Sequence, residues 1–460
     1  MATPRRLNEA DAAFVVLGAA SGVSMAPVAV TIYEKPYEDP AAIDHINEVM
    51  ARLLPPMRQR ITRDRFSTAT PRWEDVPGFE PSDQTVVLPA PGDGTLRAVL
   101  DWAEEWGRLD LPLDRPPWRT VNFEGVTVDG VPNRLVVVSQ FHHALIDGQG
   151  AARLAESFYQ WAPDGPLPDM PPPVAPTTAT AWESWRAGWA VEAGKARELA
   201  RNTGRRLRRV ASDPSAGAAR ARELGQALKR MGADASPTPL SPLLKRTSDR
   251  YRFDHLRTDL DALRAGARVA GGSANDGLMG AVSLALHRYH LDHGLKVPEL
   301  RTGMPISTRT DADGHGGNQV VAAVIRLPLL DDAAAAVKVA KELSRQARDD
   351  EDVLWLGDRM RALCNRLPRR AVVPIVRTLQ GIDLSVSNVK GMPIRNWIGG
   401  VEALETIPFL VGGPAVAITL VSGPSCATIG MVTEPDAITD PEHLVERLSE
   451  ALAEVCALAD

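Results

Sequence analysis

The sequence predicts a two-domain chain of mixed strands and helices, and three observations lead there. Its 460 residues exceed what one compact core supports, so two domains are the default. The continuous apolar run Leu135-Val136-Val137-Val138, bounded upstream by Gly130 and Pro132, reads as a buried strand. Apolar residues recur at helical spacing elsewhere, as in Leu444, Leu448, Leu452 and Val455 near the end.

In chain order, a first domain spans 1–162 and ends with a helix that starts after Gly148 and buries Leu154, Phe158 and Trp161. Pro163 to Thr178 is proline-rich and reads as a linker or surface crossing. Ala181 to about Met231 is helical in pattern and markedly basic, and Pro237, Pro239 and Pro242 close this 163–242 crossover. A second domain occupies 243–460. It contains an apolar helix from Asp276 to Tyr289, stopped by Gly294. Ile407 to Val421, broken by Pro408, Gly412, Gly413 and Pro414, reads as two strand-like pieces around a turn. It is too short and interrupted to span a bilayer. Asp440 then caps the last helix, with Pro441 in its first turn.

Composition narrows the function classes. A net charge of −6 and the lack of any zinc-finger, RNA-recognition or helix-turn-helix pattern argue against a nucleic-acid partner. Cys364, Cys426 and Cys456 are few, odd in number and far apart, which suits a reducing, cytoplasmic setting and small apolar fillers. The start, Met1 to Arg6, is positive, but Asn8, Glu9 and Asp11 precede any apolar run, so no signal peptide is expected. P-loop, dinucleotide and GxSxG motifs are missing, and no bound cofactor is expected. His287, His290 and His293 recur every third residue, a spacing that walks the third off the first one's face; a plain helix end is expected there, and no metal.

The most telling segment is Gln140-Phe141-His142-His143-Ala144-Leu145-Ile146-Asp147-Gly148. It places two histidines where a strand ends and a loop begins, a usual place to present chemistry to a cleft. This HHxxxDG pattern is the signature of condensation-type, coenzyme-A-dependent acyltransferases. Further segments resemble one branch of them, the bacterial wax ester synthase/diacylglycerol acyltransferases: Leu7 to Phe14, Leu113 to Trp118, Ser273 to Leu278, Met304 to Arg309, Gly317-Asn318 and Ser387 to Gly391, in the family's order.

The resemblance implies two chloramphenicol-acetyltransferase-like α/β domains, each a mixed sheet flanked by helices, with an active-site tunnel at their interface. It implies transfer of a long-chain acyl group from acyl-CoA to a lipid hydroxyl, giving triacylglycerol or wax ester. His143 would be the general base, since the resembled family uses the second histidine of the motif, a residue type that titrates nearest neutral pH, and His142 would support it. Asp147 would anchor the loop, an arginine being one way to hold it, and Gly148 would permit close approach or an unusual dihedral. Asn275 would contact the thioester carbonyl or the oxyanion, unless it is an ordinary helix cap. Asp276, Ser387 and Asn388 would line the substrate cavity, the last two from a loop before Gly391. Arg301 and Arg309 would meet the phosphates of coenzyme A, or be fixed by neighbouring carboxylates.

The chain also departs from the family. Met25 is followed by Ala26 where a histidine is usual, Lys390 stands where proline is typical, and Pro117 replaces leucine before Trp118. These leave open another acceptor, such as a polyketide diol or glycolipid, or a degenerate member that only binds lipid. A second surface has two readings. Trp182, Trp185 and Trp189 share one helical face, and Lys195, Arg197, Arg201, Arg205, Arg206, Arg208 and Arg209 follow. Such a stretch suits docking at the inner membrane or a lipid droplet, or else packing between the domains.

Overall fold

A computed structural model describes residues 5–63, 69–174, 181–212, scattered positions between 215 and 232, 236–307, 318, 320–379, 381–424 and 426–460. Helices α1 (Glu9–Ser21), α2 (Pro40–Leu53), α3 (Leu96–Arg108), α4 (Gly148–Glu156) and α5 (Ala181–Ser212) accompany strands β1 (Val28–Tyr33), β2 (Gln59–Thr62), β3 (Arg72–Asp75), β4 (Thr85–Pro89), β5 (Trp118–Val128) and β6 (Val131–Phe141). The remainder forms β7 (Arg252–Thr258), α6 (Leu260–Val269), α7 (Ala274–Asp292), β8 (Glu299–Ser307), β9 (Val320–Pro328), α8 (Ala333–Asp349), α9 (Glu351–Cys364), α10 (Arg369–Leu379), β10 (Leu384–Val389), β11 (Asn396–Ile398), β12 (Val401–Phe409), β13 (Val416–Ser422), β14 (Ala427–Thr433) and α11 (Pro441–Cys456).

Two six-stranded mixed sheets organise these elements, in the orders β11-β12-β1-β6-β5-β4 and β7-β14-β13-β10-β8-β9. The first has one parallel pair, β4 with β5; in the second, β10 runs parallel to both β8 and β13. The sheets do not divide where the chain does. Strand β12 leaves the second half and pairs antiparallel with β1, from Val28 opposite Phe409 onward, so 396–409 completes the first sheet.

That crossover locks the halves together. Phe253 of β7 stacks on Phe409 of β12 with centroids 4.2 Å apart, and one apolar cluster gathers Val28, Val30, Val121 and Val138 with Phe253, Ala417 and Val432. Gly430 is required there: a Cβ would stand 1.8 Å from the carbonyl oxygen of Pro408. A larger core fills the second half, where α7 is buried from Asp276 to Leu286 against β8, β9, β13 and β14.

Several sequence expectations meet the structure at element level. Strand β6 covers the valine run, β12 and β13 are the two pieces either side of the Gly412 turn, and α11 buries Leu444, Leu448, Leu452 and Val455. Trp161 departs: α4 ends at Glu156, so helical phase no longer holds there and the ring is 47% exposed. Helix α5 runs through Gly204 without a break. Among the described residues, no helix is long and apolar enough to cross a membrane, and no group of His, Cys, Asp and Glu could hold a metal. His290 instead bonds Ser241 (2.7 Å) and the Leu286 carbonyl (2.6 Å).

Candidate active site

Strand β6 delivers the motif. Its neighbour β1 pairs residue by residue as far as Val28 opposite Gln140, and the chain before β1 continues alongside the loop. The His143 N–H donates to the Met25 carbonyl at 2.8 Å. Gln140, fully buried, donates to the carbonyls of Ala26 (3.2 Å) and Gly107 (3.0 Å) while its own oxygen accepts from Arg119 Nε (2.9 Å). The strap Met25–Ala26 is thus stitched to the motif through its own carbonyls, one held by the His143 N–H and the other by the Gln140 side chain.

His142 is a packed residue. It is 3% exposed, its N–H donates to the Pro117 carbonyl (3.0 Å), and its Nδ1 accepts from the Ala144 N–H (3.0 Å). That bond sets the tautomer with the proton on Nε2. Burial, reinforced by His143, lowers its pKa to about 3, so the ring is neutral at physiological pH.

His143 is placed differently. It is partly exposed, its ring stacks on Phe14 of α1 (4.5 Å between centroids, 20° between planes), and its Nδ1 is buried without a hydrogen-bond partner. Desolvation lowers its pKa to about 4 against the opposing pull of Asp147, which keeps the imidazole in its basic form across the physiological range. Its carbonyl accepts from Nδ2 of Asn318, and that same Nδ2 and the Asn318 N–H both donate to Asp11 Oδ1, each at 2.7 Å.

Asp147 caps α4: its Oδ1 accepts from the Gly150 N–H at 2.7 Å, with the side chain 4% exposed. Gly148 follows because of close approach, since a Cβ would lie 2.9 Å from Cγ1 and 3.0 Å from Cγ2 of Val389. Its φ is not in the left-handed region, so contact with β10 rather than an unusual dihedral requires glycine. The loop therefore touches the second sheet directly. A neutral, partly exposed imidazole at the seam of two sheets can accept a proton from a bound hydroxyl.

The catalytic-domain model of the wax ester synthase/diacylglycerol acyltransferases matches residues 7–278, and the model of their C-terminal domain matches 316–455. The chain belongs to this family. The protein is accordingly an acyltransferase. "Probable diacyglycerol O-acyltransferase Tgs4" of Mycobacterium tuberculosis is 26% identical over 489 aligned positions, covering 98% of this chain and 96% of the relative. The wax ester synthase/diacylglycerol acyltransferase of Marinobacter aquaeolei VT8 shares the fold at a TM-score of 0.64 and 18% identity, covering 99% of both chains. A starter condensation domain of rhizomide synthetase, solved in complex with C8-CoA, superposes at 0.58 with 15% identity over 99% of this chain and 95% of that one.

Other family segments fall into place around the loop or away from it. Trp118 is 1% exposed, donates to the Met57 carbonyl (2.8 Å) and stacks on Phe141. The Pro117 that precedes it keeps the carbonyl that His142 uses, so this departure from the family costs no backbone contact. Asn275 is not the cap of α7; Ser273 is. Ser273 and Asp276 form a capping box, with Asp276 Oδ2 accepting from the Ser273 N–H and Oγ at 2.8 Å each. The other Asp276 oxygen is buried and unpaired. Ser387 and Asn388 lie in strand β10 and not in a loop, one to two residues before the Val389 that abuts Gly148. Arg301 is 7% exposed; its guanidinium donates to the carbonyls of Thr238 (2.7 Å) and Gly381 (3.2 Å), and its backbone N–H donates to the carboxylate of Asp383 (2.8 Å), whose charge it also favours. Arg309 lies outside the described residues.

Sequence reasoning assigned no role to Asp11, Phe14, Met25 or Asn318, although the Leu7 to Phe14 and Gly317-Asn318 segments were recognisable as family positions. Their partners lie more than a hundred residues away, and local pattern carries no such pairing.

Proposed function

We propose that the protein moves a long-chain acyl group from acyl-CoA to a lipid hydroxyl, that of diacylglycerol or a fatty alcohol, with His143 as general base. The observation that carries this reading is the neutral, partly exposed His143 ring inside a complete HHxxxDG loop of a family catalytic domain. The imidazole takes the acceptor's proton, the oxygen attacks the thioester carbonyl, and the coenzyme A thiolate leaves and is reprotonated by the imidazolium. Proton and acyl group both balance, with no acyl-enzyme and no metal invoked. The C8-CoA bound to a protein of the same fold supports a thioester donor.

Helix α5 supports delivery at a lipid surface. Trp182 and Trp189 are 62% and 53% exposed, and Trp182 stacks on Trp185, leaving an aromatic face suited to the interfacial layer of a membrane or droplet. Lys195, however, is ion-paired with Glu9 (2.7 Å) and Glu192 (3.3 Å), so it serves the attachment of α5 to α1. The side chains of Arg205, Arg206, Arg208 and Arg209 lie outside the described residues.

The test is incubation of purified protein with radiolabelled palmitoyl-CoA and diacylglycerol, a long-chain alcohol or no acceptor. Labelled triacylglycerol or wax ester, lost in His143→Ala, is the expected result. Full transfer by His143→Ala would refute the base role. Ester formed only with a polyketide diol or glycolipid would keep the chemistry and change the acceptor, the alternative that Ala26 and Lys390 leave open.

A further inference from the structure

The His143 base needs a fixed ring, and its own loop does not supply all of the fixing. Two residues of α1, one turn apart, reach it from different sides. Phe14 covers the ring face, and Asp11 reaches the backbone through Asn318. Asn318 comes from the other half of the chain, 175 positions after His143, and is 2% exposed. Its two donors converge on one acceptor, Asp11 Oδ1, which pins the amide plane and aims Nδ2 at the His143 carbonyl. The Asn8 amide in turn donates to the Asn318 carbonyl at 3.4 Å, and the Asn8 oxygen caps α1 at the Asp11 N–H (2.7 Å).

We infer that Asn318 is a positioning residue for acyl transfer: held by Asp11, it grips the His143 carbonyl and, with Phe14, sets the orientation of the catalytic ring. This rests on the base role of His143 proposed above. The geometry separates the contributions. The carbonyl of residue 143 can rotate only with the peptide that follows the ring-bearing Cα, so a donor on it fixes ψ of His143. The His143 N–H bond to Met25 restrains the preceding peptide, and stacking on Phe14 restrains the side chain. Misplacement of a base by a fraction of an ångström lowers turnover without changing donor binding. The arrangement also makes the active loop depend on both halves of the chain, since the anchor is a C-terminal-half residue seated on the first helix.

Asp11 is well suited to hold an amide. Burial raises its pKa to about 6, with Asp147 adding to the rise and Arg5 opposing it, and the hydrogen bonds from Asn318 favour its ionised, accepting form.

The experiment compares His143→Ala, Asn318→Ala, Asp11→Asn, Asn318→Asp and the double exchange Asp11→Asn/Asn318→Asp, reading kcat, KM for palmitoyl-CoA and melting temperature. Asn318→Ala should lose ten- to a hundredfold in kcat at near-constant KM. Asp11→Asn keeps an acceptor oxygen and should stay within a few-fold of wild type. Asn318→Asp faces one carboxylate with another and should lose both stability and kcat. The double exchange is decisive: it restores a donor and an acceptor between positions 11 and 318, and hence the melting temperature, but leaves no side-chain donor for the His143 carbonyl. The inference expects stability to return while kcat stays low. Recovery of both would overturn it and reduce Asn318 to a tie between α1 and its neighbour. Should Asn318→Ala fail to fold, the double exchange still decides. Wild-type turnover in Asn318→Ala beside a dead His143→Ala would sink the inference alone, whereas turnover in His143→Ala would sink the base role beneath it.

Discussion

The His142–Gly148 loop and the start of α7 at Ser273–Asp276 were both marked by family motifs, yet they are built in opposite ways. The α7 start is paired mostly within itself: Ser273 and Asp276 Oδ2 satisfy each other within four residues, Asp276 Oδ1 is buried and unpaired, and the flanking Gly272 and Gly277 abut Val337 of α8 and Leu263 and Ala267 of α6 in the second-half core. The histidine loop is satisfied from outside by Met25, Pro117, Asn318 and Val389, and keeps an unpaired ring nitrogen. A self-contained cap tolerates local change and contributes mainly stability. A loop held from several directions passes distant changes on to the His143 ring.

That contrast can be broken deliberately. The largest effect is expected for His143→Ala, a loss of roughly 10²- to 10⁴-fold in kcat, the usual contribution of a general base, with a melting temperature near wild type. A turnover loss accompanied by global unfolding would mean that the ring acts as packing. Next comes Gly148→Ala. The new Cβ meets the branched Val389 side chain at 2.9 Å, and a β-branched residue on a strand has little room to turn away. Destabilisation of about 1–3 kcal/mol is expected by denaturant titration, relieved by adding Val389→Ala. No relief would show that the loop does not depend on this contact.

Ser273→Ala sharpens the other side. Loss of the cap should cost about 0.5–2 kcal/mol of stability and leave kcat and KM unchanged. A drop in kcat would show that the α7 start takes part in the site, through Asn275 or the unpaired oxygen of Asp276. The smallest effect concerns pH. His142 and His143 have native pKa values, about 3 and about 4, below the unfolded value of 6.5. The unfolded chain therefore binds more protons as pH falls from 6.5 towards 4, and stability declines over that window. Asp11 acts with the opposite sign, because its native pKa, about 6, lies above the unfolded 3.8 and the folded state takes up its proton first. Asp11→Asn should thus steepen the acid loss in melting temperature between pH 6 and 4. A shallower loss would reverse the assignment.

How much was legible beforehand follows the same division. The HHxxxDG loop, the strand that delivers it and the last helix could be read because their signals are contiguous: an apolar run, a fixed spacing, a heptad-like stripe. Helical phase carried past Glu156 predicts a buried Trp161, but α4 stops there; the glycine after Ser387-Asn388 suggests a loop, but β10 pairs there between β8 and β13. Gly391 is instead needed beside β13, where a Cβ would collide with the Ser422 carbonyl.

By itself the sequence determined the family, the paired histidines of its motif and their place at a strand end, since these depend on residue types at short spacing. Only the tertiary structure decided that 396–409 completes the first sheet, that Ser273 and not Asn275 caps α7, that His142 is packed while His143 is presented, and that Asp11, Phe14 and Asn318 converge on the latter. The physical reason is common to all four. Burial, pairing and pKa are properties of what surrounds a group, and a chain of 460 residues brings together neighbours that its order keeps far apart.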